Sequence, residues 1–138
     1  MEYWLMKSEP STWSWENQIK VGAKGEGWDG VRNYQASNNM KKMKKGDLCF
    51  FYHSVKERDI IGIVKVKNEY HPDPTDTSER FGMVTVVAVK PLKNRVNLDQ
   101  IKNDKRLSHL ALVKQSRLSV MPIDAKSWKI ICNLGGVK

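Results

Sequence analysis

Residue types around which much catalysis and metal binding is organised are scarce here. The 138 residues include two cysteines and three histidines. His53, His71 and His109 form no HExxH or other pair at metal-ligand spacing, and no CxxC occurs. The common zinc arrangements are therefore excluded. There is no GxSxG elbow and no GxxxxGK[ST] phosphate loop, which leaves acyl-transfer and P-loop chemistry without a footing. His53-Ser54 is a poor nucleophile pair, because neighbours on a strand point to opposite faces. No apolar run approaches the roughly 18 residues that cross a bilayer, and MEYWLMKSEP lacks the basic start and apolar block of a signal peptide. The expectation is a cytoplasmic protein with no metal, no cofactor and no membrane partner.

The sequence is rich in positive charge. The net charge is +9, and it is uneven. Residues 24–58 carry eight Lys/Arg against four Asp/Glu, residues 91–138 carry ten against three, and the rest carry six against eight. An excess confined to two blocks suggests one electropositive face that attracts a polyanion. The same charge would also serve solubility alone. Cys49 and Cys132 sit among apolar neighbours (LCFFY and KIICNL), which predicts buried, reduced thiols rather than a disulfide.

A length of 138 residues with 40% hydrophobic side chains suits one domain, 1–138, with a core of its own. Strands are predicted at 3–7, 47–53, 60–70, 81–92 (stopped by Pro91) and 117–122. Ser14 caps a short helix, residues 33–44 have helical composition, Leu98–Lys102 forms one turn, and Asp124 caps a last helix that Gly135-Gly136 ends. Short helices around four to six strands, without βαβ alternation, predict an α+β domain on a curled sheet or small barrel. A doubly wound fold is disfavoured.

Five polar-aromatic segments stand out: MKSEP (6–10), WDGVRNYQA (28–36), FYHS (51–54), YHPDPT (70–75) and QSRLSVMP (115–122). Packing and turn formation account for each one singly. Together, in order and across residues 3–134, they resemble the EVE domain family of the PUA-like superfamily. That resemblance implies a PUA-like small β-barrel or strongly curled sheet with flanking short helices. It also implies binding to DNA or RNA through a modified base, cytosine derivatives among them. Ser37 and Asn39 depart from the family's commoner Arg and hydrophobic residue.

On this reading Trp28 and Tyr34 stack on an extruded base, with Trp13 packing beneath. Glu9 accepts from an exocyclic amine such as that of cytosine, and Ser8 and Asn33 complete the edge contacts. Arg32, His53, Ser54, Arg117 and Ser119 line the pocket or meet phosphate, while Lys41, Lys42, Lys44 and Lys45 attract the backbone. Two other readings stay open: an RNA-binding accessory module that reads no mark, and a nucleotide hydrolase acting through His53, Glu9 or Asp73. The base, its mark and the oligomeric state are left open by the sequence.

Overall fold

In the computed structural model, which describes residues 1–137, the central feature is a six-stranded mixed sheet. The elements in chain order are β1 (Tyr3–Ser8), α1 (Trp15–Lys20), β2 (Glu26–Gly27), α2 (Tyr34–Lys42), β3 (Leu48–His53), β4 (Asp59–Pro72) and β5 (Gly82–Asn97). They continue with α3 (Leu98–Lys102), α4 (Ala111–Lys114), β6 (Val120–Ile123) and α5 (Ala125–Leu134). The strand order is β2-β5-β4-β3-β1-β6. β1 runs parallel to β3, and the other pairs are antiparallel.

The α+β class holds, but the barrel is not closed. β2 has only two residues, too few to carry the sheet round to β6. The gap is instead spanned by α2, which packs against β6 and also against β4 and β5. Two polar contacts fasten it: Asn39 Nδ2 donates to the Val120 carbonyl at 2.8 Å, and the Ser37 and Tyr70 hydroxyls lie 2.9 Å apart. Ser37 and Asn39 are thus ties between the helix and the sheet. The curl itself comes from β4 and β5, whose pairing register shifts at four points. Such irregularities bend a strand and increase its twist.

The same irregularities explain why Pro91 does not end its strand. β5 continues to Asn97, with Pro91 set opposite Gly62 between two of the register shifts. Proline removes one ladder donor, a loss tolerated at an irregular position. Gly62 has a second use. A Cβ there would come within 2.6 Å of the Trp15 ring, so glycine lets α1 lie close against β4.

β3 organises the core because both its faces are covered. Phe50 stacks on Trp128 of α5 with centroids 3.8 Å apart. Its neighbour Phe51 faces the other way and meets Trp15 and Trp28 edge-on at 5.4 and 5.5 Å. Alternation along a strand dictates this division. The helix caps fall where expected: Ser14 and Asn17 form a reciprocal capping box, and Asp124 accepts from Ser127 N–H. Cys49 and Cys132 are both buried and free.

Candidate functional site

The C-terminal ends of the parallel pair β1 and β3 border two cavities of opposite charge. The first, of about 410 Å³, is lined by Ser8, Glu9, Trp13, Gly27, Trp28 and Asp29, with Lys7, Thr12 and Glu26. This volume lies in the range of small-molecule sites. The second, of about 610 Å³, is lined by Lys7, Tyr52, Ser54, Arg58, Lys102, Arg117 and Ser119, among others, and by no carboxylate. Lys7 borders both.

The first cavity has two aromatic walls, each held differently. Trp28 is 8% exposed and its ring rests on Phe51, while its backbone N–H donates to the Val84 carbonyl. Trp13 is partly exposed. Its Nε1–H donates to Gln18 Oε1 at 2.9 Å, and the fully buried Gln18 donates in turn to the Val86 carbonyl. Trp13 therefore forms part of the wall, whereas the sequence predicts it to pack beneath. Ser8 is buried, and its hydroxyl donates to the Trp13 carbonyl. Glu9 is exposed and accepts from Ser11. Burial, and next the charge of Asp29, raise the Glu26 carboxyl above its ordinary range against the pull of Lys24.

The loop carrying Trp28 is anchored from the far side. Gly30, at φ 76°, occupies the left-handed region that glycine enters freely. Its N–H donates to buried Asp73, which also accepts from Arg32 at 3.1 Å and from the Thr75 backbone and hydroxyl. Burial works to raise the Asp73 carboxyl, yet the donors from Thr75, Gly30 and Arg32 hold it below the usual range. Arg32 and Asp73 are thus the latch of this loop, and Arg32 also lies over the Phe81 ring.

The sequence-predicted residues divide accordingly. Ser8, Glu9 and Trp28 meet at the first cavity, and Ser54, Arg117 and Ser119 at the second. Asn33 borders a smaller cleft of about 300 Å³ that shares Ser116 and Arg117 with the second cavity. Its Oδ1 accepts from Ala36 N–H as the N-cap of α2, so that acceptor is already committed. Tyr34 lies apart, 60% exposed and tilted against Phe81. Lys41, Lys42, Lys44 and Lys45 are exposed at the end of α2 and just beyond, bordering neither cavity.

His53 is 3% exposed, and both ring nitrogens are occupied. Nε2 accepts from Trp15 N–H at 3.1 Å, which places the ring proton on Nδ1, donated to Glu57 at 2.7 Å. The ring buttresses the first turn of α1 and offers no free base.

Sequence reasoning missed Glu26, Arg58 and Lys102, which sit in unremarkable polar stretches. Lys7 and Asp29 lay inside flagged segments but carried no distinguishing signal. A GxGxxG, which the sequence reading overlooks, stands at Gly25, Gly27 and Gly30. They do not link a strand to the start of a helix here, so the dinucleotide-binding context is absent.

The profile described as EVE domain matches residues 2–134. Thymocyte nuclear protein 1 of Rattus norvegicus is 32% identical over an alignment of 164 positions, gaps included, that covers 96% of this chain and 73% of that protein. Protein Atu2648 from Agrobacterium tumefaciens superposes with a TM-score of 0.97 at 44% identity, covering 99% of this chain and 94% of its own. Human THYN1 protein, crystallised in complex with 5-methylcytosine-containing DNA, superposes with a TM-score of 0.93 at 30% identity. That match covers 100% of this chain and 99% of the human one.

Proposed function

Since the chain belongs to the EVE domain family, we propose that it binds nucleic acid by drawing one modified base into the cavity between Trp13 and Trp28. The observation that carries this reading is the cavity itself: two indoles, buried Ser8 and an exposed carboxylate at Glu9 around about 410 Å³. The human relative crystallised with 5-methylcytosine-containing DNA supports the ligand class.

Energetics set what the cavity has to supply. Removing a base from its stack costs a few kcal/mol, and stacking on an aromatic side chain returns about 1–3 kcal/mol. A carboxylate at Glu9 accepts from an exocyclic amine, which cytosine has and thymine or uracil lacks. A methyl group on the base adds about 0.8 kcal/mol if fully buried, or about fourfold in affinity. Discrimination of a methyl mark is therefore modest, and most of the affinity is independent of it.

The test is fluorescence anisotropy with single-stranded oligonucleotides that carry cytosine or 5-methylcytosine at one position. The modified strand binds about fourfold tighter to the wild type. Trp13→Ala weakens both by about 1–3 kcal/mol. Equal affinities across a panel of marks would reduce the protein to a nucleic-acid binder that reads none. Trp13 is the better probe, because truncating the buried Trp28 would also remove about 3–5 kcal/mol of core packing.

A further inference from the structure

The second cavity is a concentration of positive charge without counter-charge. Of the other four arginines, Arg32, Arg95 and Arg106 each pair with a carboxylate, and Arg80 borders a different cavity with Asp73, Asp76 and Glu79 in its lining. Arg58, Arg117, Lys7 and Lys102 have no carboxylate oxygen within 4.0 Å among the described residues, and all four border this one cleft. Leaving four cations unneutralised around one concave surface costs mutual repulsion, which an anion bound among them would relieve. Lys7 is held in place: Nζ donates to the Ser116 carbonyl at 2.8 Å and lies 5.6 Å over the Tyr52 ring. Burial, and next the charge of Arg58, lower its ammonium below the ordinary range.

Reading on from the function proposed above, which supplies the polyanion, we propose that this cleft holds the phosphodiester backbone next to the captured base. Lys7, Arg58, Lys102 and Arg117 are its phosphate ligands, and the hydroxyls of Ser54 and Ser119 are supplementary donors. The placement follows from β1. Lys7 and Ser8 are consecutive and point to opposite faces: Ser8 lines the base cavity, and Lys7, which borders both, has its ammonium held on the cleft side at Ser116. A strand passing over the end of β1 would put a base on one side and its phosphates on the other. This differs from the diffuse attraction expected of Lys41, Lys42, Lys44 and Lys45, which lie elsewhere.

The experiment measures affinity for a labelled single-stranded oligonucleotide with one 5-methylcytosine, and for its unmethylated twin, between about 50 and 200 mM salt. Arg58→Gln and Arg117→Gln should each reduce the slope of log affinity against log salt by about 0.7, the single-strand value per phosphate contact. The methylated-to-unmethylated ratio should not move. Lys126→Gln with Lys129→Gln, on the exposed side of α5, should leave the slope unchanged. In a second arm, neutral methylphosphonate linkages replace those flanking the modified base. They should weaken the wild type, and weaken the Arg58→Gln, Arg117→Gln double variant, which keeps Lys7 and Lys102, clearly less.

Slopes unaltered in both arginine variants, or lowered equally by the α5 pair, would overturn the cleft assignment. So would methylphosphonate losses that persist undiminished in the double variant. If the wild type ignores methylation while the arginine slopes fall, the base reading fails and the cleft stands. Absence of any oligonucleotide binding would overturn both.

Discussion

Gln18 has no exposed surface, and both ends of its amide are in use. It accepts from the Trp13 indole and donates to the Val86 carbonyl, so the angle of one cavity wall is set from inside the core. Gln18→Ala removes both bonds and opens a void, at a cost of about 2–3 kcal/mol of stability by urea unfolding. Oligonucleotide affinity should fall too, because the released indole must be ordered on binding. Loss of stability with unchanged affinity would show that Trp13 needs no such support. Val55, at the rim of the basic cleft, is the opposite case. It is β-branched, 61% exposed and held at φ 75°, a conformation that costs such residues about 1–3 kcal/mol. Val55→Gly should raise the unfolding free energy by about 1 kcal/mol once the greater freedom of the unfolded glycine is deducted, which a higher urea midpoint would report.

At the level of elements, α5 shows how a cap becomes sensitive to pH. Asp124 accepts from Ser127 N–H and from His109. Burial pushes its carboxyl up, but His109 and Ser127 outweigh that and bring it down to about 2. A carboxyl lowered on folding contributes stability that is complete above its unfolded value near 3.9 and is lost as pH falls through about 2. Asp124→Asn still caps the helix but cannot titrate. Its stability should therefore vary less between those limits, by about 1 kcal/mol once solvent screening of the half-exposed carboxylate is allowed for. Parallel acid unfolding curves for the two proteins would contradict this.

The same elements show what could be read in advance. β1, β3, α3 and α5 lie close to their sequence patterns because alternation, apolar runs and capping residues act locally. β2 has two residues and α4 four, too short for any periodicity to register. Pro91 misled because its tolerance depends on irregular pairing with β4, a partner that no local window contains. The candidate site divides along the same line. Ser8, Glu9 and Trp28 were visible as members of motifs, whereas Arg58 and Lys102 acquire meaning only when β3, α3 and the end of β1 converge.

For the molecule as a whole, the curled sheet depends on a helix to close the gap between β6 and the β4–β5 pair. Asn39→Ala removes the tie from α2 to Val120 and should cost about 1 kcal/mol. Hydrogen exchange should show the loss concentrated in the amides of α2 and β6, as expected when one seam opens before the rest. Uniform acceleration across the sheet would mean that the seam has no independence.

The carboxylates of the first cavity act beyond its walls. Glu9, Glu26 and Asp29 line it, in a chain whose net charge is +9. A phosphate approaching that mouth is repelled, while a base edge bearing amino hydrogens is not. Beside it lies a cleft with the reverse preference. The two fields together act on the orientation of a nucleotide before any contact forms: it is turned base-first toward the indoles, and the opposite pose is refused at a distance.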